Sequence, residues 1–148
     1  MIYKTKDITT VEAPALIAHG VNCSDAMGSG VARALYMKWP TVKGEFHKKV
    51  SPELGDTQLV DVAEDIVVVN CFTQRKYGRD GERYASPAAI GRTLTMAAAH
   101  AIDRLGLHEI HIPKIGCGLG GLDWEEDVVP VIEKIEKSFS VTFVVCDI

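Results

Sequence analysis

The chain has 148 residues, 47% of them hydrophobic and 24% charged, with a formal net charge of −4. That length fits one domain over 1–148 with enough interior to need no disulfide or metal staples, and the composition excludes disorder, collagen-like repeats and a fibrous chain. The mild acidity argues against broad nucleic-acid binding, no apolar run approaches the roughly 20 residues that span a bilayer, and the N-terminus has no signal-peptide core, so a soluble cytoplasmic protein is expected.

In chain order, residues 2–5 read as a short edge strand, because polar and apolar side chains alternate there. Asp7-Ile8-Thr9-Thr10 reads as a helix start with Asp7 as its cap. Residues 15–21 form a nearly continuous apolar run ending at Asn22, as suits a strand covered on both faces. A glycine-rich loop then feeds a helix over 30–36. A second edge strand is expected over 57–62 and a second buried strand over 66–72, which is rich in β-branched residues. Ser86 and Pro87 open a helix as N-cap and first helical residue; Ile90, Leu94, Ala97, Ala98, Ala101 and Leu105 recur at helical spacing, and Gly106 stops it.

A third buried strand is expected over 110–115, followed by a second glycine-rich loop. Asp123, with Glu126 three residues on, reads as a capping box, and Val128, Ile132 and Ile135 continue the apolar face of that helix. Pro130 would cost about 3 kcal/mol inside a helix, so the helix either kinks or begins near Val129. Residues 141–146 supply a last buried strand. Strands alternating with helices imply a three-layer α/β/α domain around a mixed, mainly parallel sheet.

The four cysteines, Cys23, Cys71, Cys117 and Cys146, form no C-x-x-C pair and read as reduced, mostly buried thiols. Cys117, between two glycines, is the one that looks open to chemistry, although the sequence places no evident base beside it. No carboxylate cluster has evident metal-ligand spacing, and neither a metal nor a cofactor is expected.

Ligands of such sheets bind at the carboxyl ends of the strands, where the two glycine-rich loops stand. The first runs Asn22-Cys23-Ser24-Asp25-Ala26-Met27-Gly28-Ser29-Gly30-Val31-Ala32, and the second Ile115-Gly116-Cys117-Gly118-Leu119-Gly120-Gly121-Leu122-Asp123-Trp124. Glycine lets backbone amides approach a ligand, and a helix N-terminus behind each loop adds about half a positive charge. Two such loops facing one another suit a diphosphate. A P-loop is excluded because no G-x-x-x-x-G-K-[ST] occurs. The dinucleotide pattern fails too, since Arg33 stands where the third glycine of G-x-G-x-x-G belongs.

Lys6-Asp7-Ile8-Thr9, His19-Gly20-Val21-Asn22-Cys23, Met27-Gly28-Ser29-Gly30-Val31-Ala32 and Pro113-Lys114-Ile115-Gly116-Cys117-Gly118-Leu119 with Trp124 resemble the motifs of a macrodomain, in the same order and over essentially the whole chain. The chain looks nearest the branch holding ADP-ribose 1″-phosphate phosphatases and terminal ADP-ribose glutamate hydrolases. The resemblance implies ADP-ribose or a derivative as ligand, with ADP-ribosylated macromolecules as further partners and nucleic acid only as a modified substrate. It implies that Asp7 accepts from the adenine amino group and that Ile8 donates an amide to the same ring. Met27, Gly28, Ser29, Gly30 and Val31 would lie along one side of the diphosphate. Ile115, Gly116, Cys117, Gly118 and Leu119 would wrap the other side and the distal ribose, Asn22 would reach the distal ribose hydroxyls, Gln74 would contact the ligand, and Asp147 and Ile148 would close over the adenine.

Bland readings stand beside these. Asp7 is also a natural cap, Asn22 also satisfies a strand-end turn, His19 also suits a hydrogen-bonded core position, and Trp124 suits packing beneath the second loop. The segment from Arg75 to Tyr84 is either a solvated loop or a flap that lays Tyr77 on the distal ribose.

Glutamate hydrolases of this branch use a lysine after the middle strand and an aspartate in the second loop. Gln74 and Gly120 occupy those positions here, so that chemistry is not expected. A phosphatase acting on ADP-ribose 1″-phosphate needs a group that activates water and donors for the developing charge. The candidates are Asn22 for positioning, Asp25 as base and His19 as a third. The alternatives are an ADP-ribosyl hydrolase acting on modified protein or nucleic acid, and a reader of ADP-ribose without turnover.

Overall fold

Side chains along each central strand point alternately to opposite faces of the sheet, which divides the apolar residues into two cores. On one face Leu16, Ala18, Val69, Ile110, Phe143 and Val145 pack with Ile90, Leu94 and Ile132; on the other Ile17, Val68, Phe72 and Val144 pack with Leu35, Val42 and Phe46. These cores belong to a computed structural model that describes residues 1–28 and 30–148; Ser29 lies outside the described residues.

The strands are β1 (Ile2–Thr5), β2 (Ala15–Asn22), β3 (Thr57–Ala63), β4 (Ile66–Gln74), β5 (Glu109–Ile112) and β6 (Thr142–Asp147). They form one sheet in the order β1-β6-β5-β2-β4-β3. All neighbours run parallel except β3, which pairs antiparallel with β4. The two strands with alternating sequence are the two edges, and the continuous apolar runs are central, as double-sided burial requires. Helices α1 (Gly30–Lys38) and α2 (Thr41–Lys48) cover one face, and α3 (Pro87–His100) and α4 (Val129–Ser138) the other. The result is the three-layer arrangement with a mixed, mainly parallel sheet.

Local chemistry explains the boundaries. Ser86 caps α3 by accepting from the Ala89 amide at 3.1 Å, with Pro87 in the first turn. The helix runs on into a π-helical turn, Ala101–Leu105, which ends at Gly106 with φ 65°. Asp7 caps a 3-10 turn over Ile8–Thr10.

Two expectations are corrected, and one helix is added. Strand β5 ends at Ile112 and not at Ile115, because Pro113 has no N–H to offer the ladder and the chain turns there, the Ile115 amide donating to the Pro113 carbonyl. The capping box is closed by a different acid. The Glu126 amide donates to Asp123 Oδ1 at 2.9 Å, but it is Asp127 Oδ2 that accepts from the Asp123 amide, at 2.8 Å. The cause is that residues 124–128 form a π-helical turn, in which the fourth residue after the cap comes round to face it; α4 itself begins at Val129, with Pro130 in its first turn. Helix α2 was not legible, since only Val42 and Phe46 mark its buried side and Gly44 interrupts it. Among the described residues no helix is long and apolar enough to cross a membrane.

Candidate functional site

The parallel strands β2, β4, β5 and β6 all end at one edge of the sheet, and a cleft of about 640 Å³ opens there. Asp7, Ile8, Asp147 and Ile148 lie at the end near β1 and β6. Gly30 and Val31, in the first turn of α1, line one wall, and Ile115, Gly116, Cys117, Gly118 and Leu119 line the other. His19, Asn22, Gln74 and Tyr77 lie toward the β2–β4 end. Met27 and Gly28 do not line the cleft: the Met27 side chain is buried in the α1–α2 core and Gly28 is exposed. Ser29, expected beside the diphosphate, lies outside the described residues.

Each candidate side chain has a local reason for its place. Asn22 organises the first loop from within. Its Oδ1 accepts from the amides of Ser24 at 3.0 Å and Ala26 at 3.3 Å, while its Nδ2 donates to the Ala26 carbonyl at 2.7 Å. Both ends of the amide are therefore engaged by the loop, as in an Asx turn. Asp25 has φ 56° and turns toward α2, where its Oδ1 lies 2.7 Å from His47 Nδ1; it does not line the cleft.

His19 is 1% exposed on β2, with Nε2 2.5 Å from Asn70 Oδ1. The polarity of that contact can be followed from α2. The Glu45 carbonyl accepts from Gln58 Nε2, so Gln58 offers Oε1 to Asn70 Nδ2, and Asn70 has its oxygen left for His19. His19 thus donates through Nε2 and carries its lone pair on Nδ1, which has no partner among the described residues. Burial pushes its pKa down from 6.5 to about 4, so the ring is neutral at pH 7.

Asp7 Oδ1 accepts from the Thr9 amide at 2.9 Å and the Thr9 hydroxyl at 2.8 Å. These bonds, the amide's foremost, hold the carboxyl below its ordinary range and keep it an acceptor. Cys117 is half-buried, and burial, followed by the carboxylates of Asp123 and Asp127, pushes its thiol up to about 11. A thiol so raised is not a nucleophile at neutral pH.

The two loops and the segment after β4 are tied together. Ser24 Oγ donates to the Arg75 carbonyl, and the amides of Tyr84 and Ala85 both donate to the Gly120 carbonyl. Gly121 has φ 77°, and a Cβ there would lie 2.2 Å from the Glu82 carbonyl oxygen, so only glycine permits this close approach. The end of the segment is thus held against the second loop, and Tyr77, 59% exposed, lines the cleft. Trp124 lies beneath, its Nε1 donating to the Tyr3 hydroxyl at 3.0 Å.

Sequence reasoning missed Lys6, Gly20, Thr73, Lys114 and Cys146, which also line the cleft. Lys6 and Lys114 stood inside motifs quoted for the resemblance and were readable from there. Thr73 had no such signal, because its position depends on an irregularity in strand pairing. Lys114 Nζ lies 3.4 Å from Asp147 Oδ2, so one of the cations at this end stands against a carboxylate.

No family model matches the chain, and no curated protein does. Solved structures do. A macrodomain protein from Streptomyces coelicolor is 26% identical with a TM-score of 0.81, covering 99% of this chain and 98% of that one. The macrodomain of Mycobacterium tuberculosis DarG is 20% identical with a TM-score of 0.80, covering 99% and 97%. Thermosipho africanus DarTG in complex with ADP-ribose is 22% identical with a TM-score of 0.70, covering 90% of this chain and 38% of that one. The chain has the macrodomain fold.

Proposed function

We propose that the cleft binds the ADP-ribose unit, and that its reaction is the slow release of phosphate from ADP-ribose 1″-phosphate. One observation carries the binding reading: the second glycine loop and the first turn of α1, which begins at Gly30, line one cleft at the ends of parallel strands. Backbone amides and a helix N-terminus there suit a diphosphate. Asp7 and Ile8 suit the adenine at one end, and the distal ribose falls toward Asn22 and Gln74 at the other. The ADP-ribose held by Thermosipho africanus DarTG, a protein of the same fold, supports the choice of nucleotide. An ADP-ribosyl group still attached to protein or nucleic acid would enter the same cleft.

In the reaction a water oxygen bonds to phosphorus, the bond from phosphorus to the 1″ oxygen breaks, and the water's proton passes to that oxygen. The loops' amides supply charge stabilisation. A base is the weak point, because Asp25 is held outside the cleft by His47 and His19 is buried. Slow turnover follows, and the same observation favours the second reading, recognition without turnover. Gln74 and Gly120 offer neither the lysine nor the aspartate that glutamate-linked hydrolysis uses in the family it resembles.

Calorimetry with ADP-ribose tests the binding, and absence of binding at millimolar ligand refutes it. Release of inorganic phosphate from ADP-ribose 1″-phosphate above a protein-free control, and its loss in Asn22→Ala, supports turnover. Binding without release leaves the reader.

A further inference from the structure

A second depression, of about 410 Å³, lies between α3 and α4 and shares no lining residue with the cleft. Both helices connect parallel strands, β4 to β5 and β5 to β6, so they run side by side in one direction. They come close at Gly91, where a Cβ would lie 3.1 Å from Val131 Cγ1. Ile135 and half-buried Phe139 also line the groove, and Ala88 stands exposed at its rim. One wall runs from Pro87 to Thr95 and the other from Val131 to Phe139, each about 12 Å of helix, a little over two turns.

Among the described residues, the charged side chains of this groove are Arg92 on α3 and Lys134 on α4, so it is cationic in a chain of net charge −4. Neither joins an ion pair with a described residue. The Arg92 stem packs on the turn before β3, since a Cβ on Gly55 would lie 2.9 Å from its Cδ. An apolar trough with one unpaired cation on each wall is complementary to an apolar stripe flanked by carboxylates.

Two turns is the length over which a helix presents apolar side chains at i, i+3, i+4 and i+7 along one face. We propose that the α3–α4 groove is a docking site for an acidic amphipathic helix of a partner protein. Its apolar stripe lies on Val131, Ile135 and Phe139, and its carboxylates meet Arg92 and Lys134. A second copy of this chain fits less well. The large apolar side chains exposed on α1 to α4 are single ones, Met37 and Met96, so no described helix has a free stripe to offer. The site is independent of the ADP-ribose reading.

The probe is a labelled, end-blocked peptide of about 14 residues, about 21 Å long as a helix. It carries leucine at i, i+3, i+4 and i+7, glutamate at the flanking positions and alanine elsewhere; the control has lysine in place of glutamate. The acidic peptide should bind saturably in fluorescence anisotropy, with amide shifts in two-dimensional NMR spectra confined to α3 and α4. The lysine peptide should bind at least about tenfold more weakly. Lys134→Glu and Arg92→Glu should each weaken the acidic peptide by about three- to tenfold, and Ala88→Trp, which fills the groove from its rim, by more than about tenfold. Thermal melts identify any unfolded variant, and exposed Lys134 carries the comparison if Arg92→Glu does not fold. No binding of the acidic peptide at millimolar concentration overturns the proposal, as do equal affinities for the two peptides or shifts centred elsewhere. Self-association of the protein alone in sedimentation, abolished by Ala88→Trp, assigns the groove to a second copy. Shifts of the same amides by dodecanoate but not by peptide assign it to an amphiphile, and either result overturns the proposal as well.

Discussion

His19 is buried as a neutral ring, so any proton it takes must come at the expense of the folded state. The unfolded chain binds that proton near pH 6.5 and the folded chain near pH 4. Between those values the unfolded state holds more protons, and stability rises with pH. At roughly 1.4 kcal/mol per pH unit the gap corresponds to about 3 kcal/mol, fully present above pH 6.5 and lost as pH falls toward 4. Half-buried His111, also held below its ordinary value by burial, acts in the same direction. Asp7, whose carboxyl is held low, loses its contribution only as pH falls below its ordinary 3.8, so the two windows are separate. Denaturant titrations at about pH 7, 5.5 and 4.5 should show the decline, and His19→Gln should flatten it. A curve level across that range in wild-type protein refutes the neutral assignment. Asn22 makes a second prediction at this scale. Because its amide organises the loop through three hydrogen bonds, Asn22→Ala should lower stability by about 1–3 kcal/mol as well as weaken ADP-ribose binding. A side chain acting only on ligand would change affinity and leave the denaturation midpoint alone.

Among the elements, the turn after the second glycine loop shows how a correct motif can be assigned to the wrong side chain. Asp123 caps as the sequence indicates, but in a π-helical turn the returning acid is Asp127. Asp123→Ala should therefore cost about 1 kcal/mol, the ordinary worth of a cap. Asp127→Ala should lower the melting temperature more than Glu126→Ala does, since Asp127 also pairs with Arg83 at 3.2 Å and so joins this turn to the segment bearing Tyr77. Equal melting temperatures for the two alanine variants would count against that division of roles. The same contrast runs through the fold. Central strands were legible because double-sided burial forces continuous apolar runs, and α3 because its cap, first-turn proline and terminal glycine are all local signals. Helix α2, the end of β5 and the bulge at Thr73 depend on packing or pairing with distant segments, which a single stretch of residues does not record. For the site the glycine loops were legible as backbone features. The engagement of Asn22 by its own loop was one of the two readings open for that residue, whereas that of Asp25 by His47 was not legible, because a short polar side chain at a turn satisfies several geometries equally well.

For the molecule as a whole, a net charge of −4 at first disfavours an anionic ligand. Among the described residues, the charged side chains lining the cleft are Lys6, Asp7, Lys114 and Asp147, two of each sign, and Lys114 is paired with Asp147. Side-chain charge therefore leaves little attraction for a diphosphate, and on the proposed reading the anion is held by amides and the start of α1. Dipoles act at hydrogen-bond range, whereas steering by net charge acts over a Debye length, which shrinks from about 10 Å at 0.1 M salt to about 3 Å at 1 M. Binding of ADP-ribose should accordingly change by less than about threefold between those salt concentrations. A ligand present at about 100 times its Kd should raise the melting temperature by roughly 5–10 °C at either salt. A fall in affinity beyond about tenfold on adding salt would instead assign the anion to Lys6, Lys114 or the cations of the Arg75–Tyr84 segment. The backbone cradle would then be a pair of tight turns.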